Sequence, residues 1–305
     1  MKYLVTGGAG FVGSNLVDEL IKRNHEVVVI DNLSSGKKEN LNPKARFHDL
    51  DIRDYAKIKP VFEGVDYVLH LAALPRVFYS VQNPVETSEI NVMGTVNVFK
   101  AAADAKVKRV VFYSSSAVYG DQKEMPIKET AAKNPVSPYG LHKLVGEQFA
   151  KLFCELYKTP IVCLRFFNIY GPRIDFDSDY GLVVGKFLYF KLQNKPLTIF
   201  GTGEQTRGFC YVSDVVEATI MAAESEKLKG GEIINISGQE SYSVNSIAKA
   251  IGGEVVYLPA REGDPMDTKA DITLAKELLG WQAEVGIEEG IAKTKDWLET
   301  KLAPK

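Results

Sequence analysis

Thr6-Gly7-Gly8-Ala9-Gly10-Phe11-Val12-Gly13 decides the fold of this chain of 305 residues. The stretch lies between an apolar run, Tyr3-Leu4-Val5-Thr6, and a helical pattern from Val12 to Lys22. It satisfies both G-x-x-G-x-x-G and G-x-G-x-x-G. Glycines let the backbone turn tightly and approach a pyrophosphate, which then rests on the helix N-terminus. A glycine triplet alone is a weak signal. Here it stands in the strand–turn–helix context the motif requires, and the second strand, Val27 to Ile30, ends in Asp31. That carboxylate would accept hydrogen bonds from an adenosine ribose and repel a 2′-phosphate, favouring NAD over NADP. Lys37 and Lys38 argue the other way, since they could meet such a phosphate.

Outward from this turn the same alternation repeats. Tyr67 to Leu71, Arg109 to Tyr113, Ile161 to Arg165 and Glu232 to Ile236 are short, nearly continuous apolar runs, as strands covered on both faces are. Between them lie helical patterns at Pro84 to Ala105, Pro138 to Tyr157 and from near Asp214. Pro138 suits a first helical turn, where a missing N–H costs nothing. Strand–helix alternation of this kind means a doubly wound parallel α/β sheet. The pattern loosens after Gly171-Pro172-Arg173, and Asp175 to Tyr180 reads as a loop. The expected organisation is therefore a dinucleotide-binding domain over 1–173 and 207–237, with a smaller interleaved lobe over 174–206 and 238–305.

Composition excludes several functions. Hydrophobic residues are 45% and charged residues 25%, with a net charge of −2 and no basic run, which argues against nucleic acid as a partner. No stretch reaches the length of a membrane span, and the glycine motif begins too early for a signal peptide. Cys154, Cys163 and Cys210 are too few and scattered for a disulfide framework, and the four histidines show no metal-ligand spacing. A cytoplasmic protein without structural metal is expected.

The chemistry should come from a Tyr-x-x-x-Lys pair, which sets a phenol and an ammonium on one helix face. The ammonium favours the phenolate, lowering the tyrosine toward the range of a general base. Three pairs match: Tyr55/Lys59, Tyr119/Lys123 and Tyr139/Lys143. Tyr55 falls on the adenine side, and Gly120-Asp121 after Tyr119 reads as a turn, so both are expected to be surface coincidences. Tyr139 opens a helix over the carboxyl ends of the strands, where ligands of such sheets bind. Ser114-Ser115-Ser116 aims hydroxyls at the same crevice. Asp51-Ile52 could touch adenine, Leu71-Ala72-Ala73 would let a cofactor pass, and Asn91 lies on the next helix. His70 reads as a core histidine.

Together TGGAGFVG, DNLSSG (31–36), HLAA (70–73), SSSAVYG (114–120), SPYGLHK (137–143) and RFFNIYGPR (165–173) resemble the extended short-chain dehydrogenase/reductase family, and within it the nucleotide-sugar 4-epimerases. The resemblance implies a Rossmann fold, a homodimer and bound NAD. It makes Tyr139 the catalytic base, Lys143 its tuner and ribose ligand, and Ser115 the assisting hydroxyl. It adds Gly7, Gly10, Phe11, Val12, Asn32, Ser35, Gly36 and Phe166 to the cofactor site. The dimer would pair helices near 91–105 and 139–157, with Phe149, Phe153, Cys154 and Tyr157 in the seam.

Relatives that dehydrate or decarboxylate carry a carboxylate just after the catalytic hydroxyl; here those positions are Ser116 and Ala117. The resemblance also implies a UDP-sugar substrate. Ser115 and Ser116 would face the sugar, Asn168, Arg207 and Arg261 the diphosphate, and Asp264 the uridine ribose. Thr198 and Phe200 belong to the strip flanking uracil. Thr268 corresponds to a gate beside the sugar C2 substituent, and its small size would admit an N-acetyl group, so UDP-GlcNAc/UDP-GalNAc should fit. Two departures stand out. Gly208 replaces a frequent aspartate, and Arg76 follows HLAA, where it could welcome a uronate carboxylate and so point to a UDP-glucuronate 4-epimerase. A non-catalytic dinucleotide sensor would be a different class, but such proteins typically lose the Tyr/Lys pair.

Overall fold

A computed structural model describes residues 1–177, 182–260 and 267–303. The first half runs β1 (Lys2–Thr6), α1 (Phe11–Lys22), β2 (Glu26–Asp31), β3 (Arg46–Asp49), α2 (Tyr55–Ile58), β4 (Tyr67–His70), α3 (Val77–Gln82), α4 (Pro84–Ser88), α5 (Thr95–Ala105), β5 (Arg109–Ser115) and α6 (Pro138–Tyr157). Then follow β6 (Ile161–Phe166), β7 (Ile169–Tyr170), α7 (Val183–Leu192), β8 (Leu197–Phe200), β9 (Thr206–Gly208), β10 (Cys210–Tyr211) and α8 (Val212–Glu224). The chain ends with β11 (Ile233–Ile236), β12 (Ser241–Ser243), α9 (Val244–Ile251), β13 (Val255–Leu258), β14 (Asp267–Thr268), α10 (Thr273–Leu279) and α11 (Ile287–Leu302).

Seven parallel strands form the central sheet in the order β11-β6-β5-β4-β1-β2-β3. Strand order reverses beside β1, so the carboxyl ends of β1 and β4 flank the crevice where such sheets bind ligands. Helices cover both faces. One core contains Leu16, Leu20, Val215 and Ile220, the other Phe99, Phe112, Ala150 and Phe153. The α/β expectation holds.

Helix α6 begins where Ser137 caps it, its Oγ accepting from Gly140 N at 3.2 Å, and Pro138 occupies the first turn. Tyr139, His142, Lys143, Gly146, Glu147, Ala150 and Phe153 form its buried face, at helical spacing. Gly146 permits the close approach: a Cβ there would lie 2.5 Å from Phe112 Cζ on β5.

Several boundaries differ from the expectations. The long helix expected over 84–105 is interrupted by a π-helical turn, Glu89–Gly94. Gly94 is pressed against β3's outgoing loop, where a Cβ would meet Ile52 at 2.5 Å. The C-terminal stretch expected wholly in the small lobe is divided. Leu279, Trp281 and Ala283 pack into the sheet's core beside α8, and the buried Asp214 carboxylate accepts from Glu284 N and Val285 N at 3.2 and 3.1 Å. The small lobe has its own core of Ile174, Phe187, Leu197 and Ile247. Its strand β9 pairs with β12 and β14, while β10 pairs with β7. The expected seam residues Phe149, Phe153 and Cys154 pack into the monomer, because their face of α6 meets the sheet; Tyr157 is exposed.

Arg165 and Glu147 are both fully enclosed, Arg165 Nη2 donating to Glu147 Oε2 at 2.6 Å and Nε to Oε1 at 2.8 Å. Truncating one partner leaves the other charge buried and unpaired, so Arg165→Met should cost about 3–5 kcal/mol in urea unfolding. The double variant Glu147→Met, Arg165→Met should regain much of that loss. A single variant as stable as the parent would contradict this account.

Candidate active site

A cavity of about 870 Å³ runs along the carboxyl ends of the sheet and into the small lobe. At one end it is lined by Gly7, Gly10, Phe11, Val12, Asp31, Asn32, Ser35, Gly36, Asp51 and Ile52. Leu71, Ala72, Ala73 and Phe166 line its middle beside Ser115, Ser116, Tyr139 and Lys143. At the other end are Asn168, Arg207 and Thr268.

The first end fits a dinucleotide. Gly7 has φ +76, and a Cβ on it would lie 2.8 Å from Ala72 N, so glycine alone keeps the turn open. Gly13 closes the turn against the helix, since a Cβ there would sit 2.1 Å from Gly7 O. The N-terminus of α1 thus faces the cavity with its unpaired backbone N–H groups, a ready site for a pyrophosphate. Asp31 is held in place by Ala9 N and Leu33 N, at 3.0 and 2.8 Å. Burial raises its carboxyl above the ordinary value, and those two N–H groups pull it back. Lys37, the residue that weighed toward a 2′-phosphate, lies over the Phe176 ring at 5.8 Å.

His70 is a core residue, as expected. Its Nδ1 is 2.7 Å from Thr6 Oγ1 and its Nε2 is 3.0 Å from Thr95 Oγ1. Burial, with the nearby Lys143 charge, pushes it down to about 3. Thr95 already donates to Asn91 O, so the neutral ring donates from Nε2 and accepts at Nδ1.

Tyr139 and Lys143 stand in the middle of the cavity, both nearly buried. Tyr139 N donates to Ser80 Oγ at 3.1 Å, fixing the start of α6 against α3. The Ser115 hydroxyl interacts with the phenol and accepts from Ala117 N at 3.2 Å. Ser114 points the other way, donating to the buried Glu147 at 2.5 Å. Strand alternation therefore singles out Ser115 from Ser114.

The expected lowering of the tyrosine is not what the protein alone supplies. Lys143 Nζ donates to Tyr113 O at 2.6 Å and lies 5.8 Å from the Tyr139 ring centre. Burial raises the phenol above its ordinary value, and only the Ser115 hydroxyl pulls it down. Burial also lowers Lys143 to about 8, against the Glu147 charge that raises it. The ammonium is thus held on the Tyr113 carbonyl and not on the phenol.

Other expectations need correction. Asn91 does not line the cavity: its carboxamide clamps Leu74, accepting from Leu74 N at 2.8 Å and donating to Leu74 O at 3.1 Å. Thr198 and Phe200 also lie outside the lining, because β8 pairs with β13 and turns Leu197 and Ile199 into the lobe core. Arg261 and Asp264 lie outside the described residues. Tyr119 is no surface residue: it is fully buried, its hydroxyl accepting from Arg165 Nη1 and donating to Asn235 Oδ1, each at 2.7 Å. Tyr55 lies outside the lining, its hydroxyl donating to Asp104. Sequence reading missed Arg173 and Asp175 in the lining. No spacing signals them, for they reach the cavity through a loop. Among the described residues, no group of three or more His, Cys, Asp or Glu is placed to hold a metal.

The profile of the NAD dependent epimerase/dehydratase family matches residues 3–237. The chain belongs to that family. It is 38% identical to the UDP-glucose 4-epimerase of Mycolicibacterium smegmatis over 99% of both chains. It is 34% identical to UDP-glucuronic acid decarboxylase 1 of Xenopus tropicalis over 99% of this chain and 73% of that one. A UDP-N-acetylglucosamine 4-epimerase from Methanobrevibacter ruminantium, solved with UDP-N-acetylmuramic acid, superposes with a TM-score of 0.94 at 36% identity over 99% of both chains. The chain is an NAD-dependent nucleotide-sugar 4-epimerase.

Tyr139 should therefore titrate above the ordinary tyrosine range of about 10 in the cofactor-free protein. A difference titration of tyrosinate absorbance between parent and Tyr139→Phe would show that step, and NAD⁺ should move it down. A step near neutrality without cofactor would contradict the burial argument.

Proposed function

We propose that the enzyme interconverts UDP-GlcNAc and UDP-GalNAc, with UDP-glucose and UDP-galactose as further substrates. The observation carrying this choice is Thr268. It lines the cavity, stands in register with Arg207 across β14 and β9, and its Oγ1 is buried without a hydrogen-bond partner among the described residues. A buried hydroxyl left unpaired is costly, and a ligand amide would pair with it. A small residue there also leaves room for an N-acetyl group.

In this reading Ser115 and Tyr139 hold the sugar 4-hydroxyl and share its proton as the C4–H bond breaks. The glycine turn, Asp31 and Lys143 would hold NAD⁺, which would supply the hydride acceptor. Lys143 bonds the ribose and adds positive potential that favours the phenolate. Arg207, with Asn168, holds the diphosphate, as a guanidinium fork suits phosphate. The 4-keto sugar turns about its anchored diphosphate, and the proton returns from Tyr139 when the opposite face is reduced. Ser116 and Ala117 offer no carboxylate to take a C5 proton, which supports epimerisation over dehydration or decarboxylation.

We also place the enzyme in the cytoplasm as a homodimer. Three free thiols suit a reducing compartment. Leu141, Leu152, Leu156 and Tyr157 form an exposed apolar face along α6 that a second copy would cover.

NMR of the protein with NAD⁺ and, separately, UDP-GlcNAc, UDP-glucose and UDP-glucuronate tests the reading. The C4 epimer of UDP-GlcNAc should accumulate. Tyr139→Phe should lose roughly 10²–10⁴-fold in turnover, the usual worth of a general base, while still binding NAD. Thr268→Tyr should remove activity on UDP-GlcNAc and spare UDP-glucose. Turnover of glucuronate alone would overturn the choice of sugar.

A further inference from the structure

Ser80 lies outside the cavity lining and is fully buried, yet it touches the backbone of Tyr139. Its place follows from the way α6 begins. The first N–H groups of a helix have no partner within it. Pro138 has no N–H to offer, and Gly140 N is taken by the Ser137 cap at 3.2 Å. Leu141 N already bonds within the helix, to Ser137 O at 3.0 Å. Tyr139 N is left over in a buried residue, and its acceptor comes from α3: Ser80 Oγ, at 3.1 Å. The serine hydroxyl donates in turn to Val77 O at 2.6 Å, so its proton is committed and its oxygen is left to accept.

The body of α6 and its first turn are held differently. Beyond Lys143 the helix is fixed by the buried Glu147–Arg165 pair and by the close approach of Gly146 to Phe112. The first turn, which carries Tyr139, is gripped by backbone contacts from two sides. On one side Gly140 packs on the turn after β5 (Ser116–Val118), where a Cβ would lie 2.5 Å from Ala117 O. Ala117 N donates to Ser115 Oγ, so this contact ties the start of the helix to the assisting hydroxyl. On the other side stands Ser80. The segment that carries Ser80 is pinned beyond both ends of α3: Asn91 clamps Leu74, and Ser88 Oγ lies 2.9 Å from His142 Nε2, three residues along α6 from Tyr139.

We propose that Ser80 is a positioning residue for the reaction, holding Tyr139 N, and through it the phenol, against Ser115. This rests on the reading of Tyr139 as the base. Helices fray from their ends, and a buried N–H that loses its acceptor is costly. Without the Ser80 hydroxyl the first turn would loosen while the ion pair keeps the rest of α6 in place. The phenol would then drift from Ser115, and proton transfer, which needs its heavy atoms within hydrogen-bond reach, would slow. Lys143, one turn on, would keep its bond to Tyr113 O and with it the cofactor site.

The test compares Ser80→Ala with the parent, with Ser88→Ala as a control that loosens the same segment away from Tyr139. Amide hydrogen exchange of the NAD-loaded proteins should show protection lost over 139–142 in Ser80→Ala and kept over 143–157. With UDP-GlcNAc and UDP-glucose as probes, kcat of Ser80→Ala should fall about tenfold or more, since misplacing a reacting group by about 1 Å can cost roughly 10²-fold. KM and NAD affinity should hold, and Ser88→Ala should keep the parent kcat. An unchanged kcat in Ser80→Ala overturns the inference. So does a loss that Ser88→Ala shares or that comes with loss of NAD binding, since either marks a merely structural role. Turnover that survives Tyr139→Phe overturns the reading of the base and the inference with it. A parent that turns over neither probe overturns the choice of sugar, and hydrogen exchange then decides: unchanged protection over 139–142 in Ser80→Ala overturns the inference.

Discussion

The buried ion pair between Arg165 and Glu147 ties β6 to α6, the helix that carries Tyr139 and Lys143, in one body. Glu147 sits one turn beyond Lys143 on α6, and the same carboxylate receives Ser114, the neighbour of Ser115 on β5. Arg165 on β6 also donates to Tyr119 and to Glu129 O, and Tyr119 passes the network to Asn235 on β11. Strands β5, β6 and β11, the catalytic helix and the loop before it are thereby cross-linked by charge-assisted hydrogen bonds in a dry interior. A polar network buried this deeply is tolerable because its members satisfy one another. Its consequence is a Ser115–Tyr139–Lys143 arrangement held on rigid elements.

Around that body the cavity is organised by chemistry along its length. The glycine turn and Asp31 supply backbone donors and a fixed carboxylate at the dinucleotide end. The middle is dry enough to raise Tyr139 and lower Lys143 at the same time, since burial disfavours whichever form is charged. Tyr139 is therefore held in its neutral form, while Lys143, lowered to about 8, keeps its charge at neutral pH. The far end combines Arg207, Asn168 and a Thr268 hydroxyl without a partner among the described residues.

Much of this was legible in the chain. The glycine turn, Asp31, the catalytic helix with its capping serine and the strand ending in three serines all announce themselves through local sequence. Local spacing failed where a partner came from far away. Tyr119 looked like a surface residue because its turn is local, yet Arg165 and Asn235 draw it into the core. Asn91 looked like a cofactor ligand, but the π-helical turn aims it at Leu74. Tyr-x-x-x-Lys spacing suggested an ammonium beside a phenol; Tyr113 O instead captures the ammonium.

By itself the sequence determined the doubly wound sheet and the glycine turn that shapes the dinucleotide end of the cavity. Those follow from hydrophobic periodicity and from backbone geometry that only glycine permits, both written in short stretches. Tertiary structure decided the electrostatics. Burial sets the protonation of Tyr139 and Lys143, and burial is a property of the packed whole. Arg76 pairs with Asp175, which lies 99 positions away in the chain and 2.8 Å away in space. Charge depends on neighbours in space, and no local pattern in a sequence records them.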